Sequence, residues 1–224
     1  MNAGATGFRT KPSVGSIDLR EVGVTSAGVE LLPPTTFVSA AGKATAVRGR
    51  NGAGKSTLLK VMCGQYAPSS GSAFVAGSDV RHPGRDFRRR VASMIGLPPM
   101  APDLTVRDHV DLVAATWFSG MSQRAAVAAQ VVEATGLAEL EHRFPHELSS
   151  GQRQLFGLGL ILARPYEVLI LDEPEQRLDS EHVKRLSGIL IALRNEGRTL
   201  IVATHSDALT EAFADQVLTL DPQR

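Results

Sequence analysis

From Ile17 to Val47 the chain alternates short apolar runs with chain breakers: Ile17 to Val24, Phe37 to Ala40 and Ala44 to Val47 are separated by Gly28, Pro33, Pro34 and Gly42. Runs this short between turn formers predict strands, a small β-rich edge. Lys55 to Cys63 carries Leu58, Leu59, Val61 and Met62 at helical spacing and is closed by Gly64, which predicts a helix. A turn-rich Pro-Ser-Ser-Gly-Ser segment then leads to a short strand at Ala73 to Ala76. From Phe87 to Arg164 the pattern is mainly helical, with Val106 to Phe118, Gln123 to Thr135 and Gln152 to Leu162 separated by Pro or Gly. From Glu167 onward apolar strands (Val168 to Leu171, Leu200 to Ala203, Val217 to Leu220) alternate with helices (Glu181 to Arg194, Ala208 to Phe213). Such alternation predicts an α/β fold with a largely parallel sheet and helices on its faces. No internal repeat, coiled coil or low-complexity tract interrupts it.

The 224 residues suit one core with a subdomain. With 24 basic against 23 acidic residues there is no broad basic field, so nucleic acid is not expected as a partner. No stretch approaches the roughly 18 apolar residues of a spanning helix, which assigns any membrane role to a partner. The sole cysteine, Cys63, sits among apolar neighbours and reads as a small core residue. The first sixteen residues, MNAGATGFRTKPSVGS, are small and polar without the apolar heart of a signal peptide, which predicts a loose lead-in and a cytoplasmic protein.

The chemistry begins at Gly49-Arg50-Asn51-Gly52-Ala53-Gly54-Lys55-Ser56-Thr57, which fits G-x-x-x-x-G-K-[ST] between a predicted strand and a predicted helix. The glycines let backbone N–H groups curl around phosphate oxygens, and the helix start adds positive potential. Lys55 is placed to reach the β- and γ-phosphates and Ser56 to ligate Mg²⁺, so ATP or GTP binding is expected. The strand Val168 to Leu171 ends in Asp172-Glu173-Pro174, putting two carboxylates where parallel sheets bind ligands. Asp172 is expected to hold Mg²⁺ through water, and Glu173 to orient or deprotonate the attacking water.

Leu148-Ser149-Ser150-Gly151-Gln152 precedes the apolar helix through Leu155, Leu158 and Ile161. By itself that segment is equally a plain serine N-cap. In the order P-loop, LSSGQ, LILDEP and a lone Thr204-His205 after a strand, however, the chain resembles the ATP-binding-cassette family from about Ile17 to Leu220. The resemblance implies a P-loop NTPase fold with a small antiparallel β edge and an inserted helical subdomain. The divisions it suggests are 1–16 (lead-in), 17–86 (β edge and P-loop), 87–164 (helical subdomain ending in the signature helix) and 165–224 (rest of the core). It further implies a head-to-tail dimer with a second such subunit, ATP being sandwiched between one P-loop and the signature residues Ser149, Ser150, Gly151 and Gln152 of the other. By position, His205 resembles the family's switch histidine at the γ-phosphate, and Leu178-Asp179 its dimer-contact loop. The cofactors implied are ATP and Mg²⁺. The partners are membrane permease subunits, and the location is the inner face of the cell membrane, peripherally bound.

The sequence departs from the family pattern in several places. Between Val91 and Val110 there is no glutamine, only Gly96-Leu97-Pro98-Pro99-Met100 in its region, and no aromatic stands between Glu21 and Thr36 to stack on adenine. Ser150 replaces the first glycine of the signature, and Glu175-Gln176-Arg177 replaces small residues before Leu178-Asp179. Slower hydrolysis or an asymmetric dimer is expected. A soluble ATP switch and a degenerate nucleotide-binding partner with little turnover are the competing functions. Arg88-Arg89-Arg90, at the expected opening of the helical subdomain, reads as a solvated charged face, with a partner or anionic lipid as the other reading.

Overall fold

Two sheets form because two kinds of strand are present. In the computed structural model, which describes residues 16–220, the largely buried strands β3 (Ala44–Gly49), β6 (Val91–Ile95), β7 (Val168–Asp172) and β8 (Thr199–Ala203) join β9 (Gln216–Leu220) in a parallel sheet of order β6-β7-β8-β3-β9. Val168, Leu169, Ile170 and Leu171 are all 0% exposed, as expected of strands covered on both faces. The half-exposed strands β1 (Ile17–Ser26), β2 (Val29–Ser39), β4 (Ser70–Val75) and β5 (Ser78–Asp79) form an antiparallel sheet of order β2-β1-β4-β5. The lead-in expected before Ser16 lies outside the described residues.

The helices are α1 (Lys55–Met62), α2 (Arg85–Arg90), α3 (Val106–Trp117), α4 (Met121–Thr135), α5 (Ser150–Leu162), α6 (Ser180–Asn195) and α7 (Asp207–Phe213). One core lies between the antiparallel sheet, α1 and one face of the parallel sheet. A second joins the opposite face to α5, α6 and α7. A third holds the helical lobe together, with Val110, Val131 and Phe156 from α3, α4 and α5. Cys63 packs half-buried on the first core, and burial pushes its thiol above the ordinary cysteine range. Among the described residues no helix is long and apolar enough to cross a membrane.

Two expectations are corrected. Val91–Ile95, expected inside the helical stretch, is a strand of the main sheet, in register with β7 from Val91↔Val168 to Ile95↔Asp172. Five residues are too few for a stable helix, and the neighbouring buried strand offers them a complete ladder. Arg88, Arg89 and Arg90 therefore close α2, while α3, α4 and α5 make up the helical lobe. Pro33 and Pro34, expected to break the chain, lie inside β2. That strand is the sheet edge, where a missing N–H costs no ladder bond.

Candidate active site

The P-loop leaves β3 at Gly49 and enters α1 at Lys55. Gly49, Gly52 and Gly54 have φ of 152°, 82° and 91°. A Cβ at Gly49 would stand 2.4 Å from the Leu220 carbonyl oxygen, and one at Gly54 2.8 Å from that of Leu31. Backbone neighbours as well as dihedrals thus require glycine at these two positions. The N-cap of α1, Gly54, offers no side-chain acceptor, and no acidic residue occupies the first turn, which leaves the helix start open to an anion. Lys55 is 6% exposed, its Nζ donating to the carbonyls of Gly49 (2.9 Å) and Arg50 (3.3 Å). Ala53 is buried beneath the loop, while Arg50 is exposed.

A cleft of about 530 Å³ opens over this loop, lined by Asn51, Gly52, Gly54, Lys55, Ser56 and Thr57 together with Glu30, Leu31 and Glu173. Glu173 is brought there by β7, where Ile95 and Ala203 flank Asp172. The Asp172 Oδ1 is buried without a hydrogen-bond donor, an orphan that suits a hydrated cation. Among the described residues no three His, Cys, Asp or Glu side chains gather into a metal cage. A cation here would therefore draw most of its oxygens from nucleotide and water, as Mg²⁺ ordinarily does.

Glu173 has φ 46°, its N–H donates to the Ala203 carbonyl at 2.9 Å, and its Oε1 lies 3.0 Å from His205 Nε2. The Gln176 amide donates to Glu173 Oε2. Glu175 reaches across to the β8 loop, its Oε1 accepting from the Thr204 hydroxyl and from the His205 backbone N–H (3.2 Å).

The remaining expected residues lie elsewhere. Ser149 caps α5: its hydroxyl oxygen accepts from the Gln152 N–H at 3.2 Å, while the Gln152 side chain accepts from the Ser149 N–H at 2.9 Å. This reciprocal cap uses the Ser149 hydroxyl as an acceptor and leaves both Ser149 and Ser150 exposed. Gly151 is buried at the helix start. None of these residues lines the P-loop cleft of its own chain. Asp179 caps α6, accepting from the backbone N–H groups of Glu181 (3.1 Å) and His182 (2.9 Å). The His182 N–H first, and then its ring at 2.7 Å, hold the Asp179 carboxyl below its ordinary range.

Glu30, Leu31, Glu175 and Gln176 were not picked out as site residues from sequence. Leu31 supplies an aliphatic wall in the stretch where an aromatic was expected.

Fold and cleft together define a P-loop nucleotide hydrolase carrying a helical lobe. A family profile described as ABC transporter matches residues 32–176, and a shorter match, to an AAA domain described as a putative AbiEii toxin, spans 142–211. An uncharacterised ABC transporter ATP-binding protein of Mycobacterium tuberculosis is 34% identical over 203 residues, covering 87% of this chain and 81% of the relative. A methionine import ATP-binding protein of Rhodococcus jostii is 31% identical over 217 residues, covering 93% of this chain and 64% of the relative. In three dimensions, an ATP-binding cassette solved as a dimer in a post-hydrolysis state with ADP and Pi superposes with a TM-score of 0.82 at 21% identity, over 93% of this chain and 97% of that one. The chain belongs to the ABC transporter family, as an ATP-binding subunit with ATPase activity.

Proposed function

We propose that this chain binds Mg²⁺ and ATP in the P-loop cleft, closes on a second cassette whose signature segment completes the site, and transmits that closure to a separate membrane permease. The observation that carries the reading is the meeting of Lys55, Ser56 and Glu173 in one cleft while Ser149, Ser150, Gly151 and Gln152 lie outside it. A site missing the signature donors is completed by a second copy or by a related subunit.

Lys55 Nζ, which donates to its own loop carbonyls, exchanges them for phosphate oxygens, and the N–H groups of Gly52, Gly54 and the α1 start surround the β-phosphate. Ser56, and the orphaned Asp172 oxygen through water, would hold Mg²⁺, which would supply charge neutralisation to the phosphates. Glu173 accepts the proton of the attacking water, with the His205 ring held 3.0 Å from its Oε1 and beside the γ-phosphate. Ser149 and the α5 start of the partner supply N–H and hydroxyl donors to the same phosphate. Asp179, fixed as a helix cap, is assigned to the subunit contact.

An apolar partner is supported by the cleft of about 360 Å³ where β6 leaves the core, lined by Leu97, Pro98, Met100 and Pro102 opposite Pro145, His146 and Arg153. It spans the loop without glutamine and the segment leading to the signature helix, so a bound permease element would sense the angle between lobes. Docking there places the chain on the inner face of the membrane.

The deciding experiment compares ATP turnover of the purified chain with that of Glu173→Gln and follows dimer formation by light scattering. Loss of the general base lowers turnover by about 10²- to 10⁴-fold, and the variant accumulates as an ATP-bound dimer. An ATP-bound variant that stays monomeric and turns over like the parent overturns the assignment. Co-purification with an apolar multi-span protein separates the transport reading from a soluble switch.

A further inference from the structure

We propose that Glu175 is a positioning residue for hydrolysis: it pins the backbone of His205 so that the imidazole meets Glu173, although Glu175 itself touches no substrate. The inference rests on the roles assigned above to Glu173 and His205.

Strands β7 and β8 are paired as far as Asp172↔Ala203, and one further backbone bond, Glu173 N–H to the Ala203 carbonyl at 2.9 Å, closes the ladder. Beyond that point the two chains part into separate loops, one carrying Glu173 and the other His205. Glu175 spans the gap. Its Oε1 accepts from the Thr204 hydroxyl and from the His205 N–H at 3.2 Å. Thr204 is 0% exposed, and its hydroxyl oxygen is already an acceptor for the Ser206 N–H at 3.0 Å. A hydroxyl has a single proton, and here it goes to Glu175. The backbone on both sides of the Thr204–His205 peptide is thereby fixed, and the ring that follows is aimed at Glu173 Oε1, 3.0 Å away.

Two independent features mark this as more than a loop contact. Glu173 (φ 46°) and Arg177 (φ 65°), neither a glycine, bracket Glu175 in the left-handed region, a conformation that persists only where surrounding contacts enforce it. The other carboxylate oxygen of Glu175, Oε2, is buried without a donor. A buried acceptor without a donor costs desolvation, so its presence here calls for a reason beyond tying two loops together.

The test measures kcat and the KM for ATP in the parent, Glu175→Ala, Glu175→Gln, Thr204→Val, His205→Ala and the double variant Glu175→Ala/His205→Ala. Losing one buried acceptor should lower kcat about tenfold in Glu175→Ala, with KM unchanged. Glu175→Gln keeps the acceptor and restores most of the rate. Thr204→Val, close in shape, reproduces the loss without depending on how Glu175→Ala folds. Because Glu175 acts through His205, its removal adds nothing in the His205→Ala background. Full additivity in the double variant, or an equal loss in Glu175→Gln and Glu175→Ala, overturns the proposal. If Glu173→Gln and His205→Ala leave turnover intact, the site assignment itself has failed, a different pattern from additivity.

A readout independent of turnover is the ¹⁵N signal of the His205 imidazole, identified by its loss in His205→Ala. Glu173→Gln should move this signal in the parent and leave it in place in Glu175→Ala. The same displacement in both backgrounds overturns the proposal even if the purified chain hydrolyses nothing.

Discussion

Lys55 Nζ donates to the carbonyls of Gly49 and Arg50, so its substitution removes a brace of the loop together with the cation proposed to meet phosphate. Lys55→Ala is expected to weaken ATP binding by about 10- to 100-fold, the worth of one or two charge-assisted hydrogen bonds. Titration calorimetry measures it. Gly49→Ala acts differently, because its Cβ meets the Leu220 carbonyl at 2.4 Å and its φ is 152°. Strain and clash together should cost about 2–4 kcal/mol in urea unfolding, with ATP binding lost as the loop shifts. Cys63, half-buried and with its thiol pushed up, should react with a thiol reagent slowly at neutral pH and at the rate of a free thiol once the chain is unfolded in urea.

The helices carry their function at their first turns. Ser149→Ala removes the reciprocal cap of α5 and should lower stability by about 1 kcal/mol. Ser149→Thr restores the cap. If the hydroxyl also serves the partner's nucleotide, Ser149→Ala introduced into Glu173→Gln prevents the ATP-driven dimer well below the denaturant that unfolds it. At α6 the Asp179 carboxyl is held below its ordinary range, so its cap contribution is complete above that range and disappears as pH falls through the lowered folded value. Asp179→Asn should therefore flatten the acid limb of a stability-versus-pH curve and leave the neutral plateau nearly level.

Legibility in the sequence follows the same division. The P-loop and the Asp172-Glu173 pair were readable because their spacing is local and their strand and helix lie beside them. β6 was not, since Val91–Ile95 is a strand only by virtue of the β7 ladder. β2 was cut at Pro33 and Pro34 because sequence does not tell an edge strand from a central one. Glu30 and Leu31 reach the cleft from the antiparallel sheet, and Glu175 reaches Thr204 across two loops, both tertiary placements without a local mark.

At the scale of the molecule, the proposed sharing of the cleft between two cassettes would make catalysis a property of pairs. ATPase activity per chain should rise with protein concentration and level off once dimers predominate, as measured by turnover across a dilution series. Activity per chain independent of dilution, with light scattering reporting monomer throughout, contradicts the shared site.

The order of the parallel sheet has a consequence for how the protein is made. β3, which carries the P-loop, lies between β8 and β9, so its partners on both sides are residues 199–203 and 216–220. A chain still emerging from the ribosome holds the whole Gly49 to Thr57 segment early and has no strand to lay it against until residues 199–220 arrive. Parallel pairing across such a sequence distance is slow and late. The site that recognises ATP is thus completed only once residues 199–220 have been made, so a chain cut before them is left without the frame that holds its P-loop.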